Sequence, residues 1–76
     1  MLAPAEVEFN KGVDFVDQGL YEQAIEQFGK ALELDPTIVE AYVNRGAAYF
    51  NLGQYQLAIQ DFDEAIELVD KAIELN

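Results

Sequence analysis

The sequence contains neither cysteine nor histidine among its 76 residues. Without cysteine the chain can form no disulfide and offers no thiolate ligand to a metal. Without histidine it lacks the commonest general base and the commonest side-chain ligand for transition metals. The residue inventory therefore predicts no cofactor, no metal site and no enzymatic activity.

Basic residues are also scarce, since 4 lysines and arginines stand against 15 aspartates and glutamates, for a net charge of −11. Nucleic acid requires a cationic surface, so no nucleic acid partner is expected. Anionic membrane surfaces are disfavoured for the same reason, and no apolar run approaches the roughly 20 residues of a membrane span. The start of the chain lacks the pattern of a signal peptide, which makes the cytoplasm the default location. The acidity favours basic partners.

The chain repeats itself with a period of 34 residues: residues 5–38 align with residues 39–72 without gaps. Internal repeats of this length are typical of helical repeat proteins. Identical residues in the two units include the pairs Asn10 and Asn44, Gly12 and Gly46, Gly19 and Gly53, Tyr21 and Tyr55, Ala24 and Ala58, Ile25 and Ile59, Phe28 and Phe62, and Ala31 and Ala65.

Each unit is predicted to contain two helices. Gly19 and its counterpart Gly53 follow a helical pattern at the place where a left-handed residue ends a helix. In the second helix of the first unit, apolar residues recur with helical spacing, and the dipeptide Asp35-Pro36 ends that helix. Thr37 and Glu40 then match a capping box for the next helix.

The glycines inside the helices predict how the helices pack. Gly12 and Gly46 occupy mid-helix positions, where glycine costs about 1 kcal/mol relative to alanine. These glycines allow the two helices of a unit to approach closely, because the rings of Phe28 and Phe62 need space that a larger side chain on the facing helix would fill.

The residues Gly12-x-x-Phe15, Ala24-x-x-x-Phe28, Ala31 and Pro36 resemble the tetratricopeptide repeat pattern, and so do their counterparts in the second unit. The resemblance covers nearly the whole chain. It implies an all-α fold in which two antiparallel helix-turn-helix hairpins stack as a right-handed solenoid fragment. The chain is then one domain, residues 1–76, with repeat one at 5–38 and repeat two at 39–72. Glu8 replaces an aromatic residue of the pattern, which suggests an exposed, cap-like face on the first helix.

The second unit departs from the first at its end, where Val69-Asp70 stands in place of Asp35-Pro36. Nothing there stops the helix, so it is predicted to run from about residue 54 to 75, with a helical extension at 69–76. Residues 63–69 and 70–76 are near copies of each other. This duplication leaves open that the chain is a trimmed or engineered repeat protein.

The unterminated helix suggests self-association. Repeat arrays need about three units or a capping helix, and a chain this short buries only about 60% of its unfolded surface. A homo-oligomer formed through the last helix would supply the missing core; the alternative is a monomer whose tail frays. The candidate residues for self-association are Ile66, Val69, Ile73 and Leu75.

The resemblance also implies a concave groove, because the first helix of each tetratricopeptide unit lines a surface that binds peptides. The family's best-known mode clamps a carboxylate with lysine, arginine and asparagine, but the lysines are missing here and Glu6 and Glu40 flank the lining. We therefore expect a protein or peptide partner that is apolar with basic flanks. The groove candidates are Phe9, Asn10, Val13, Val16, Asp17, Val43, Asn44, Ala47, Phe50 and Asn51.

The function expected from these features is that of a protein–protein interaction scaffold without catalysis. The alternative is a self-associating repeat protein, natural or engineered, whose extended C-terminal helix pairs with another copy. The acidic cluster Asp61, Asp63 and Glu64 is interpreted as a solvated helix face, because the glycine and the spacing of a calcium loop are absent.

Overall fold

The computed structural model describes residues 1–74 and contains four α-helices in this part of the chain. The helices are α1 (Pro4–Asp17), α2 (Tyr21–Leu34), α3 (Val39–Asn51) and α4 (Tyr55–Glu74). Short connections make each helix antiparallel to the next. The contacts are those of α1 with α2, α2 with α3 and α3 with α4, together with a smaller contact of α1 with α3. The predicted all-α fold of two stacked hairpins is confirmed.

Glycine ends the first helix of each hairpin. Gly19 and Gly53 have φ angles of 75° and 77°, a left-handed conformation that other residues rarely adopt. The backbone N–H of Leu20 donates to the carbonyl of Phe15 at 2.8 Å, which satisfies one of the carbonyls left unpaired at the end of α1. The sequence prediction of helix ends at both glycines is confirmed.

The connection between the hairpins differs from the predicted capping box. The backbone N–H and the hydroxyl of Thr37 donate to Oδ1 of Asp35, at 3.0 and 2.6 Å. These hydrogen bonds, the one from the hydroxyl first, lower the pKa of Asp35. α3 begins after Ile38 without a side-chain cap. The predicted capping box of Thr37 and Glu40 was wrong: α3 has Ile38 as its N-cap, one residue later than the box requires, and the Thr37 hydroxyl is directed to Asp35 instead.

Each hairpin closes around a phenylalanine that faces a glycine. A Cβ atom built on Gly12 would lie 2.5 Å from Cε1 of Phe28, and one on Gly46 would lie 2.7 Å from Cε1 of Phe62. Phe28 is completely buried. The rest of the core consists largely of small side chains, which allow the helices to approach closely: Ala5, Ala24, Ala31, Leu32, Ala41, Ala48, Ala58 and Ala65.

One ion pair joins the two helices of the second hairpin. Nε and Nη2 of Arg45 donate to Oδ2 and Oδ1 of Asp61 at 2.9 and 2.7 Å, a bidentate geometry. The hydrogen bond to Asp61 raises the pKa of Arg45, which stays charged. Asp61 is only 4% exposed, so its interpretation as part of a solvated face was wrong. The arginine side chain is long enough to reach from α3 to α4, where its two hydrogen bonds replace those that water would make to an exposed carboxylate.

α4 continues as helix through Val69 and Asp70 to Glu74 and has 20 residues, against 13 or 14 in the other helices. No proline interrupts it. Leu75 lies outside the described residues.

The contact of Gly12 with Phe28 predicts opposite effects of alanine at two helical glycines. Gly12→Ala should lower the free energy of unfolding by about 1–3 kcal/mol, because the added methyl group overlaps a buried ring. Gly29→Ala is the matched control, since its Cβ would lie 3.7 Å from its nearest neighbour, Nη1 of Arg45. It should stabilise the protein by up to about 1 kcal/mol. Urea unfolding measures both, and equal stability of the two variants would contradict the packing described.

The Arg45–Asp61 pair predicts a strong loss when one partner is removed. Arg45→Met should lower the free energy of unfolding by about 3 kcal/mol, because Asp61 then stays buried without a counter-charge. Arg45→Lys should cost less, since lysine keeps the charge and loses the bidentate geometry. The double variant Arg45→Met/Asp61→Leu should recover most of the loss. Thermal unfolding of the three variants measures this, and a double variant no more stable than Arg45→Met would show that the buried charge is not the cause.

Candidate interaction surfaces

The groove side of the two hairpins contains a first depression near the start of α1, of about 350 Å³. We call it the acidic depression. Its carboxylates are those of Glu6, Asp35 and Glu40, and among them Asp35 is already hydrogen-bonded to Thr37. The depression is lined by Ala3, Ala5, Glu6, Phe9, Asn10, Asp35, Ile38 and Glu40.

A second and smaller depression of about 130 Å³ lies further along α1 and α3. We call it the apolar depression, because Val13, Val16 and Ala47 face it and the buried ring of Phe28 contributes to its lining. Asn51 donates from Nδ2 to the carbonyl of Ala47 at 2.8 Å. The complete lining is Val13, Val16, Tyr21, Phe28, Asn44, Ala47, Ala48 and Asn51.

The structure brings seven of the ten groove candidates to these two depressions: Phe9, Asn10, Val13, Val16, Asn44, Ala47 and Asn51. Phe9 also contacts the core, because the centroid of its ring lies 5.7 Å from that of the buried Phe28. Asp17 and Phe50 line neither depression. The ring of Phe50 packs edge-on against that of Tyr55, with 5.1 Å between the ring centroids. Val43 lies in a different depression, described below.

Tyr21 and Ile38 are among the lining residues that were not groove candidates. Both lie outside the first helices, at the start of α2 and in the connection before α3. Tyr21 had a signal, since it recurs as Tyr55 in the second unit. The groove candidates were taken only from the first helix of each repeat, so residues of the second helix and of the connections were left out.

The self-association candidates lie on an exposed face of α4. Ile66, Val69 and Ile73 are 57%, 44% and 65% exposed, whereas Leu75 lies outside the described residues. Ile66 and Val69 border a depression of about 260 Å³ between α3 and α4, which we call the terminal depression. It is lined by Val39, Val43, Ala65, Ile66, Val69 and Asp70.

A fourth depression, of about 480 Å³, lies over the Arg45–Asp61 pair on the same two helices. Four of its seven lining residues are acidic, and Arg45 already pairs with one of them, Asp61. We call it the carboxylate depression; its lining is Tyr42, Arg45, Gln60, Asp61, Asp63, Glu64 and Glu67.

Residues 1–74 contain neither a candidate metal cluster nor a helix suited to span a membrane. No group of three or more acidic, cysteine or histidine side chains in this part of the chain could hold a metal ion. None of the helices described is both long and apolar enough to cross a membrane.

Comparison with known proteins places these hairpins in a family. A family model described as TPR repeat matches residues 12–53, and one described as tetratricopeptide repeat matches residues 39–69. Two crystal structures of MamA are similar to this chain, with TM-scores of 0.91 and 0.86 and 27% identity in both cases. The matches cover 93% of this chain, but only 42% and 39% of the MamA chains. No curated protein matches. The chain belongs to the tetratricopeptide repeat family.

Proposed function

We propose that the chain is a protein-interaction scaffold whose groove, formed by the acidic and apolar depressions, binds an apolar peptide segment with basic flanks. Protein binding is the general role of tetratricopeptide repeats, and the particular ligand follows from the lining of the groove. The observation that carries the proposal is an apolar depression that lies beside uncompensated carboxylates on the same face.

The apolar depression accounts for the apolar part of the ligand. Its volume of about 130 Å³ suits one aliphatic side chain, which would lie against Val13, Val16 and Ala47. Burial of such a side chain contributes about 1.5–3 kcal/mol. Asn44 lines the same depression and can both donate to and accept from the backbone of an extended peptide.

The acidic depression accounts for the basic flank. Glu6 and Glu40 line it, and the linings of the two depressions contain no lysine or arginine. A cationic side chain of the ligand would therefore meet carboxylates without displacing an existing counter-charge. An acidic peptide would be repelled by the same residues. The proposal includes no catalytic step, because the chain has no histidine or cysteine to act as a base or nucleophile.

Self-association through α4 is the second candidate function. It is favoured by the exposure of Ile66, Val69 and Ile73, which form a continuous apolar stripe. It is opposed by charge, since Asp63 and Asp70 flank the stripe and every copy carries a net charge of −11. We rank it below the peptide groove for this reason.

The groove proposal predicts that peptide binding depends on both depressions. The probe is a labelled extended peptide with a central leucine and two lysines at each end, compared with the same peptide carrying glutamates in place of the lysines. Fluorescence anisotropy should show that the lysine peptide binds about tenfold or more tightly than the glutamate peptide. Ala47→Arg should weaken it by about tenfold, because the new side chain fills the apolar depression and adds a positive charge.

The matched control is Ala72→Arg, which adds the same side chain at an exposed alanine of α4. It should leave the affinity within about twofold of the unmodified protein. Equal binding of the lysine and glutamate peptides, or unchanged affinity of the Ala47→Arg protein, would refute the proposed groove.

A further inference from the structure

Matched residues of the two repeats differ sharply in burial at the end of the array. Leu32 of α2 is 8% exposed, whereas Ile66, the residue 34 positions later on α4, is 57% exposed. α2 contacts α1 on one side and α3 on the other, whereas α4 contacts only α3 among the described helices. Ile66 thus occupies a position that is covered in the first repeat and open in the second.

The open surface combines an apolar and an acidic part. The terminal depression contributes Val43, Ile66 and Val69. Asp63, three residues before Ile66 on α4, lies on the same side of the helix and supplies a carboxylate beside it. We call the terminal depression together with Asp63 the terminal face. It is separate from the peptide groove, whose lining shares no residue with it.

The internal contact between α2 and α3 shows how a helix covers such a face. Nη1 of Arg45 on α3 lies 3.7 Å from the position of a Cβ atom on Gly29 of α2. The residue that matches Gly29 on α4 is Asp63, and the residue that matches Lys30 is Glu64. If a helix packed on α4 as α3 packs on α2, an arginine at the position of Arg45 would lie beside the carboxylate of Asp63, where the first repeat has Gly29.

We infer that the terminal face binds a basic amphipathic helix, packed on α3 and α4 as α3 packs on α1 and α2. The internal interface defines what this helix must carry. Ala41 and Ala48 of α3 are 0% and 1% exposed, so the bound helix needs small residues at i and i+7. An arginine at i+4, the position of Arg45, pairs with Asp63.

A second copy of the chain fits this face less well. Stacked head to tail, the second copy would place its α1 on α4, and α1 has Asp14 where α3 has the buried Ala48. Burial of that carboxylate without a partner is costly. An antiparallel pair of α4 helices centred on Ile66 would bring Asp63 and Asp70 beside the same residues of the other copy, where like charges repel.

The probe for the inference is a peptide with the sequence of residues 37–53 that carries Glu40→Lys, so that its charged side chains are one lysine and one arginine. Titrated against the full chain, it should bind saturably by fluorescence anisotropy. The same peptide with Arg45→Glu should bind about tenfold or more weakly, because its new carboxylate faces Asp63.

Two protein variants locate the binding surface. Ile66→Glu should weaken peptide binding by about tenfold or more, whereas Leu34→Glu should not change it. The two residues are equally exposed, at 57% each, and only Ile66 lies on the terminal face. Asp63→Asn should weaken binding by about threefold, with Asp14→Asn on α1 as the unaffected control.

The outcomes separate this inference from the peptide groove. Ala47→Arg, which fills the apolar depression of the groove, should leave binding of this probe unchanged. The inference is overturned if the probe does not bind at about 1 mM, or if Leu34→Glu weakens it as much as Ile66→Glu. It is also overturned if sedimentation equilibrium of the chain alone shows a dimer that Ile66→Glu dissociates, because the occupant is then a second copy.

Discussion

The structure depends on one steric constraint, the fit of a phenylalanine ring into the space left by a missing side chain. Phe28 lies against Gly12, and Phe62 lies against Gly46, so closely that a Cβ atom on either glycine would overlap the ring. These two contacts set how closely the helices of each hairpin approach. The small residues Ala24 and Ala58 are buried on the same helices, and they allow that approach to extend along the helix axis. The cost of a mid-helix glycine is offset by this burial.

The same close packing creates the surfaces on which the proposed binding depends. With the aromatic rings directed into the hairpins, α1 and α3 are left side by side, and the acidic and apolar depressions open along them. At the other end, α4 packs on α3 alone and leaves Ile66 exposed where Leu32 is covered. Both surfaces combine apolar residues with carboxylates, and this combination is the basis on which basic, amphipathic partners are proposed for them.

Features that are local or repeated could be predicted from the sequence. The 34-residue period, the left-handed Gly19 and Gly53 and the fit of Phe28 on Gly12 each follow from residue type and spacing alone. Features that depend on long side chains could not. Asp61 reads as solvated from its neighbours in sequence, and only the three-dimensional reach of Arg45 shows that it is buried. Val43 was assigned to the groove because it shares a helix with groove residues, but it lies on the terminal face. Helical periodicity groups residues on one side of a helix without showing which neighbouring element that side faces.

Among the described helices α2 is covered by α1 and α3 whereas α4 is covered by α3 alone, and native-state amide hydrogen exchange tests this difference directly. Backbone amides in stretches that are covered on both sides exchange through global unfolding, whereas those on an open face exchange through local opening. Protection factors in residues 28–34 of α2 should therefore exceed those in the matched residues 62–68 of α4 by about tenfold or more at a concentration where the chain is monomeric. Equal protection of the two stretches would contradict the claim that α4 lacks a covering helix.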